Sequence, residues 1–332
     1  MEIPKTEGIK YAGSKLRLLP YIFEMVDGLS DVESVLDGFS GSTRVSQAFA
    51  KLGYSTTSND ISAWSEVFAT CYLVSNKSNV YYQEQIDYLN SLQGVDGWFT
   101  QNYGGADDET KKPFQIKNTR KLDAIRDEID RMNLAWEDKC VLLTSLIYAL
   151  DKVDNTLGHY VAYLSGWSTR SFNDLKLKLP NRFILSGQNK VIRDDVFNTV
   201  ANNQYDLVYF DPPYGSNNEK MPPSRVRYAA YYHLWTTIIQ HDKPQLFGKA
   251  SRREDTRDDL TGSVFEEFRK NKTGDFLAME ALRKLVSETN TRYLLLSYSS
   301  GGRATKQQLL DIISEFGNLM EIKAIDYKKN VM

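Results

Sequence analysis

The segment that most constrains the fold is Tyr205–Tyr214, which reads YDLVYFDPPY. Its first part, Tyr205–Phe210, is a short apolar run rich in valine, leucine and aromatic residues, which is typical of a buried strand in a parallel sheet. The prolines after Asp211 cannot extend that strand, and the first of them holds Asp211 in an extended conformation. We therefore expect the Asp211 carboxylate just beyond the carboxyl end of a strand, where open α/β sheets bind their ligands.

The tetrad Asp211, Pro212, Pro213 and Tyr214 is suited to holding the exocyclic amine of a nucleic-acid base. The nitrogen of such an amine is a poor nucleophile because its lone pair is delocalised into the ring. The Asp211 carboxylate and the Pro212 carbonyl could accept both amino hydrogens and direct the lone pair towards an electrophile, while Tyr214 stacks on the base. An ordinary turn after a core strand fits the same residues. The tetrad alone leaves both interpretations open.

A second motif consists of a strand, a glycine turn and a helix. Ser34–Asp37 is predicted to be the strand, Gly38–Ser42 (GFSGS) the turn, and residues 43–52 the helix. The turn lacks the GK[ST] of a phosphate-binding loop and the G-x-G-x-x-G spacing of a dinucleotide site. An acidic residue at the strand end is unsuited to a pyrophosphate. It suits the cationic amino group of an amino-acid-like cofactor.

Further carboxylates follow the next predicted strands. Asp60 comes after a strand at residues 54–58 and lies 23 positions after Asp37, where a carboxylate can accept hydrogen bonds from ribose hydroxyls. Asp194 and Asp195 follow predicted strands at residues 183–185 and 191–193, and one of them could accept from an adenine amino group. A generic Rossmann-like core is the alternative interpretation of these positions.

The order of predicted elements indicates one doubly wound α/β sheet that an insertion interrupts. Near the N-terminus, Ser14 is expected to be the N-cap of a helix. In the middle, residues 94–113 read as an exposed loop and residues 119–131 and 137–153 as helices. After the tetrad, residues 215–260 read as a mobile substrate loop, 263–288 as a helix and 319–327 as an edge strand.

Composition excludes several classes of protein. The chain has 332 residues, a net charge of −2 and a pI near 6.0, which argues against a strongly cationic DNA-coating protein. Its two cysteines are far apart and its three histidines show no metal-binding spacing, so we expect neither disulfide nor metal site. No apolar run approaches a membrane span, and the N-terminus lacks the apolar core of a signal peptide. We therefore expect a cytoplasmic protein.

Local basic clusters remain compatible with a nucleic-acid cleft. One cluster comprises Arg170, Lys176, Lys178 and Arg182, and a second comprises Lys220, Arg225, Arg227, Lys243, Lys249, Arg252, Arg253 and Arg257. Aromatic residues interleave the second cluster, and we expect Tyr231 or Tyr232 to contribute to DNA binding, with a position in the core as the alternative for either tyrosine. A solvated surface with compensating charges is the alternative for either cluster.

Taken in order, KYAGSK at Lys10–Lys15, the DGFSGS turn and the DPPY tetrad make the chain resemble the Dam-like DNA N6-adenine methyltransferases, including those of restriction–modification systems. The resemblance implies S-adenosylmethionine as cofactor and double-stranded DNA as substrate. It implies a Rossmann-like catalytic domain at residues 1–75 and 183–332 and a mainly helical target-recognition insertion at 76–182. A monomer that works beside a cognate endonuclease is the expected arrangement.

The resemblance also assigns residues position by position. The tetrad, with Asp211, Pro212, Pro213 and Tyr214, would hold the target amine. The residues expected to bind the cofactor are Tyr11, Lys15, Asp37, Phe39, Gly41, Ser42 and Asp60, with Asp194 or Asp195 on the cofactor adenine. The choice between Asp194 and Asp195 stays open.

Other functions share some of these features. N4-cytosine or RNA-base methylation presents the same chemical problem, although an aspartate at the first position of the tetrad favours adenine within the resemblance. A catalytically silent DNA-binding relative is disfavoured by the intact tetrad. A nucleotide-dependent oxidoreductase is disfavoured by Asp37 and by the missing G-x-G-x-x-G.

Overall fold

The computed structural model describes residues 2–106, 112–183, 185, 187–216 and 227–326. Within these residues the strands are β1 Ser34–Asp37, β2 Ser55–Asn59, β3 Gly104–Gly105, β4 Phe114–Gln115, β5 Lys190–Ile192, β6 Tyr205–Phe210, β7 Leu246–Phe247, β8 Arg252–Arg253 and β9 Thr291–Leu296. A central sheet of the described residues has the strand order β5-β2-β1-β6-β9 and pairs parallel throughout. The predicted α/β class is confirmed.

The α-helices of the same residues are α1 Leu19–Asp27, α2 Arg44–Lys51, α3 Ala63–Ala69, α4 Asn79–Ser91, α5 Trp98–Tyr103, α6 Ile116–Arg131, α7 Trp136–Leu150, α8 Val196–Asn202, α9 Tyr228–Tyr231, α10 His233–Gln240, α11 Leu277–Glu288 and α12 Lys306–Phe316. A π-helical turn, Thr70–Val74, continues α3.

Strand alternation explains why helices cover both faces of the sheet. Successive side chains of a strand point to opposite faces. Leu207 and Tyr209 of β6 pack with α1 and α2, whereas Val208 and Phe210 pack with α8, α11 and α12. Both faces of β6 are therefore apolar, which is the continuous pattern seen in its sequence.

A second hydrophobic cluster is helical. It combines α5, α6 and α7 with α3 and α10, and its apolar residues include Phe68, Phe99, Leu146 and Trp235. The helices between residues 76 and 182 thus share their core with elements that come before and after them in the chain.

The predicted loop at residues 94–113 is wrong in part, because α5 lies within it. The Asp123 carboxylate, from α6, accepts hydrogen bonds from the backbone N–H groups of Gly97, Phe99 and Thr100 at 2.8–3.1 Å. These are the unsatisfied donors at the start of a helix. The cap comes from a residue distant in sequence, so the local pattern could not reveal it.

Other predicted elements also differ. The predicted helix at residues 263–288 begins only at Leu277, because the Asn271 side chain accepts from Thr273 and Asp275 and forms a turn there. The N-cap of α1 is Leu18 rather than Ser14. Residues 319–326 form no strand and expose Met320 and Ile322, so they lack the burial that a sheet edge would give them. Position 327 lies outside the described residues.

Residues 215–260 are more regular than predicted, because α9 and α10 lie within this segment. Their aromatic side chains pack into the helical cluster, which overrides the irregular local sequence. Residues 217–226 of that segment lie outside the described residues. The predicted strand at 183–185 is absent at Phe183 and Leu185, and position 184 is not described.

Candidate active site

The sheet topology places two predicted site residues side by side. Strand order runs from β1 outwards to β2 and β5 on one side and from β6 to β9 on the other, so the topological switch point lies between β1 and β6. Asp37 ends β1 and Asp211 follows the last residue of β6. Open α/β sheets bind ligands at this point, outside the carboxyl ends of the strands.

A cavity of about 570 Å³ opens at this edge. Two tetrad residues, Asp211 and Pro213, line it, whereas Pro212 and Tyr214 are not among its lining residues. Every residue predicted to bind the cofactor also lines it: Tyr11, Lys15, Asp37, Phe39, Gly41, Ser42, Asp60, Asp194 and Asp195. Residues from four separate parts of the chain therefore meet in one cavity.

Asp37 is buried with half of its hydrogen-bonding capacity unused. Its Oδ2 accepts from the backbone N–H of Ser46 at 3.0 Å and from the Ser46 hydroxyl at 2.6 Å. Its Oδ1 is buried and has no partner among the residues that the structure describes. Burial raises the pKa of Asp37 to about 7. The hydrogen bonds from Ser46 oppose this rise, and the negative charge of Asp211 adds to it. A cation at Oδ1 would satisfy this carboxylate.

The glycine turn links Asp37 to Asp60. Gly41 has a φ of +49°, and a Cβ there would lie 2.9 Å from the Tyr11 ring, so a side chain at this position is excluded by conformation and by space. Its N–H donates to Asp60 Oδ2 at 2.9 Å, while the N–H of Ser62 donates to Oδ1 at 2.8 Å. Burial raises the pKa of Asp60 despite these donors.

Asp194 and Asp195 lie together at the start of α8. Asp195 is the N-cap of that helix and accepts from the N–H of Phe197 at 3.0 Å. Asp194 accepts from the N–H of Asp195 at 2.7 Å and from Asn198 at 2.9 Å. Both carboxylates use only Oδ1 in these bonds, so either Oδ2 could meet a ligand and the two residues stay equivalent candidates.

The chain itself occupies both oxygens of the Asp211 carboxylate. Lys15 forms an ion pair with Oδ2, and the Tyr214 hydroxyl donates to Oδ1. Burial raises the pKa of Asp211, and the Lys15 ammonium opposes that rise. Lys15, expected at the cofactor, therefore also contacts the tetrad. The Tyr214 ring packs 5.0 Å from that of Tyr298.

The backbone after the tetrad is fixed by residues that the sequence did not single out. Tyr214 O accepts from the N–H of Arg303 at 2.8 Å and from the Tyr298 hydroxyl at 3.2 Å. The buried Arg303 guanidinium donates to Ser216 O, and also to Glu266 O at 3.2 Å. A Cβ on Gly302 would lie 2.9 Å from Tyr214 Cβ. The SSGG sequence at Ser299–Gly302, just after β9, is the pattern that could have predicted this contact, because paired glycines mark a turn or a close backbone approach.

Three arginines of the second basic cluster, Arg252, Arg253 and Arg257, form ion pairs within the chain. Arg253 is buried and pairs with Asp242 at 2.7 Å and Asp255 at 2.8 Å, and Arg252 pairs with Asp258 at 3.2 Å. Tyr232 is fully buried, and its hydroxyl accepts from the N–H of Ala12 at 2.7 Å, so the expectation that it contacts DNA is wrong. Lys220 and Arg225 lie outside the described residues.

Among the described residues, no cluster of histidine, cysteine, aspartate and glutamate could hold a metal ion. No helix of the same residues is long and apolar enough to cross a membrane.

Relatives of known function resemble the chain along nearly its whole length. Modification methylase StsI of Streptococcus sanguinis is 32% identical over 97% of this chain and 48% of its own length. Type II methyltransferase M.FokI of Planomicrobium okeanokoites is 26% identical over 93% of the chain and 47% of its own length. The chain thus spans about half the length of these two relatives. Type II methyltransferase M.NlaIII of Neisseria lactamica, 27% identical over 93% of the chain, is covered over 89% of its length.

A family model gives the same result independently. The model for the D12 class of N6 adenine-specific DNA methyltransferases matches residues 11–259, a range that begins at Tyr11 and includes the glycine turn and the tetrad. With more than half of its length matched, the chain belongs to the D12 class N6 adenine-specific DNA methyltransferase family.

Proposed function

We propose that this chain transfers a methyl group from S-adenosylmethionine to the N6 amino group of an adenine in double-stranded DNA, as the modification enzyme of a restriction–modification system. The observation that carries the proposal is the shared cavity of Asp37 and Asp211 at the switch point of the sheet. One carboxylate suits a cationic cofactor and the other suits an amine. Membership of the D12 family supports adenine as the target base.

The cavity fits the cofactor in volume and in charge. About 570 Å³ lies in the usual range for nucleotide-sized ligands. The partnerless Oδ1 of Asp37 would accept from the ammonium group of the methionine moiety. Asp60 would meet the ribose, and Asp194 or Asp195 the adenine. Bound S-adenosylmethionine supplies a methyl group activated by a sulfonium.

Asp211 would prepare the target amine. An incoming amino group replaces the Tyr214 hydroxyl at Oδ1, and the Pro212 carbonyl accepts the second hydrogen. Lys15 remains on Oδ2, where its ammonium opposes the rise in the pKa of Asp211 that burial causes. Released from Asp211, the Tyr214 ring is free to pack against the base. Orientation of the lone pair is then the main contribution of the tetrad to the rate.

An adenine inside a duplex cannot reach this cavity, so the base must flip out of the helix. Flipping costs a few kcal/mol of pairing and stacking, and stacking on a protein ring recovers about 1–3 kcal/mol. We assign target recognition to the segment at residues 76–182, between the catalytic parts at 1–75 and 183–332. Its helices pack directly against α3 and α10, which adjoin the cavity. We further propose that a monomer acts on one strand at a time.

The test is transfer of labelled methyl from S-adenosylmethionine to unmethylated genomic DNA, followed by nucleoside analysis. The proposal predicts N6-methyldeoxyadenosine, and sequencing of the modified positions would then give the recognition site. N4-methyldeoxycytidine would keep the mechanism but change the target base. Absence of transfer to DNA, with cofactor bound, would contradict DNA as the substrate.

A further inference from the structure

Four nearly parallel aromatic rings, those of Trp235, Tyr232, Tyr11 and Tyr228, form a cluster that reaches the active-site cavity. The ring centroid of Tyr11 lies 4.8 Å from that of Tyr232, 6.4 Å from that of Trp235 and 5.6 Å from that of Tyr228, at interplanar angles of 19°, 17° and 27°. The centroids of Tyr232 and Trp235 are 4.2 Å apart. Tyr11 thus connects the Tyr228 ring to two rings of the helical core.

The ring cluster is anchored in the helical core. Trp235 and Tyr232 are buried, and the Tyr232 hydroxyl accepts from the backbone N–H of Ala12. Tyr228, Tyr232 and Trp235 are spaced i, i+4 and i+7 over α9 and α10, which places them on one side of this helical segment. Tyr11 packs on both Tyr232 and Tyr228, so it links the Tyr228 ring to this core.

Tyr228 and Tyr11 both line the cavity that also contains Asp211, whereas Tyr232 and Trp235 are not among its lining residues. Burial raises the pKa of Tyr228, and among the charged groups the carboxylate of Asp211 raises it most. Tyr228 therefore lies close to the group proposed to hold the target amine.

We propose that Tyr228 is a binding residue for the target, with its ring packing on the face of the flipped base while Asp211 holds the exocyclic amine. This inference rests on the proposed function. A tyrosine ring that packs on Tyr11 and lines the cavity presents a flat apolar surface to a planar base. Stacking of this kind tolerates any base, so Tyr228 contributes affinity and leaves the choice of base to polar groups.

The cofactor adenine is the other planar group that could occupy this face. Asp211 raises the pKa of Tyr228 more than Asp60 does, and Asp60 is the carboxylate expected at the cofactor ribose. The target base is therefore the occupant that we propose. The two occupants make different predictions for cofactor binding.

The experiment compares the wild-type chain with Tyr228→Phe, Tyr228→Leu and Tyr228→Ala. We expect kcat/KM for genomic DNA to fall by about 10- to 100-fold in the Ala and Leu variants and to stay within about threefold in the Phe variant. The dissociation constant of S-adenosylmethionine should be unchanged in all three. The Leu variant retains most of the side-chain volume, so it separates stacking from packing even where the Ala variant folds poorly.

Three results would overturn the inference. Activity of the Leu variant equal to that of the Phe variant would reduce Tyr228 to a packing residue. A loss of cofactor affinity as large as the loss of kcat/KM for DNA would place the cofactor on this ring. An inactive wild-type chain would refute the proposed function and this inference with it, whereas an active wild-type with fully active variants would refute this inference alone.

Discussion

The cavity at the sheet edge and the basic segment at residues 170–182 use their charged side chains in opposite ways. At the sheet edge, Asp37 is buried, and its Oδ1 has no hydrogen-bond partner among the described residues. In the basic segment, the Arg182 guanidinium donates to Ser75 O at 2.8 Å and to the Ser75 hydroxyl at 2.9 Å, and it stacks on Tyr82. Arg170 pairs with the buried Asp154 at 2.7 Å.

The lysines of the same segment behave differently from its arginines. Leu175 and Leu177 are buried while Lys176 and Lys178 are exposed, which is the alternation of an extended chain lying on a core. The comparison teaches that a charged residue is available to a ligand only where the fold leaves its polar atoms unused. Composition alone groups these lysines and arginines together, whereas the structure separates them.

The largest expected effect is at the tetrad. Asp211→Ala removes the acceptor for the target amine, and we expect methyl transfer to fall by at least about 1,000-fold, since positioning and electrostatic terms of this kind are worth that much. Cofactor binding should persist. Asp206→Asn is the matched control, because Asp206 lies on the same strand and bonds to Ser34 outside the cavity. Near-normal single-turnover transfer by Asp211→Ala would contradict the assigned role.

The next effect separates the two kinds of basic residue. Arg182→Ala should lower the free energy of unfolding by about 2 kcal/mol, because its hydrogen bonds to Ser75 are lost. Its DNA binding should keep the wild-type salt dependence. Lys176→Ala and Lys178→Ala should leave stability unchanged and each lower the slope of log K against log salt by about 1. The reverse assignment, with Arg182 changing the salt slope, would break the comparison.

A smaller effect concerns pH. Burial raises the pKa of Asp37 to about 7, and a cationic ligand requires its ionised form. Cofactor affinity should therefore fall as pH drops below 7, by about tenfold for each unit. Titrations of S-adenosylmethionine between about pH 5.5 and 7.5 measure this slope. In Asp37→Asn affinity should be lower and nearly independent of pH, and an unchanged slope in that variant would assign the proton to another group.

The sequence predicted the catalytic sheet well because its signals are local. A continuous apolar run marks β6, an acidic residue and a glycine turn mark the end of β1, and paired prolines stop the strand before the tetrad. These features depend on backbone chemistry within a few residues. They gave the position of Asp37 and Asp211 at one sheet edge, and β6 ends where the prolines predicted.

Features that depend on distant contacts could not be predicted in this way. The cap of α5 comes from Asp123, and the support of the tetrad comes from Tyr298 and Arg303. Tyr232 reads as a DNA-facing residue among arginines, but packing against Tyr11 and Trp235 buries it. No local pattern distinguishes it from Tyr228, whose ring lines the cavity instead.

The most direct test of the central claim is the free energy of unfolding of Asp37→Asn at pH 8, with and without S-adenosylmethionine. Because the pKa of Asp37 is raised in the fold, the stability that its protonated form contributes is lost as pH rises through about 7. Without cofactor at pH 8, the variant with a neutral isostere should therefore be at least as stable as the wild-type chain. Saturating cofactor should stabilise the wild-type chain and have little effect on the variant. A variant less stable by about 2 kcal/mol, with the full cofactor effect retained, would show that Asp37 serves the fold and not the ligand.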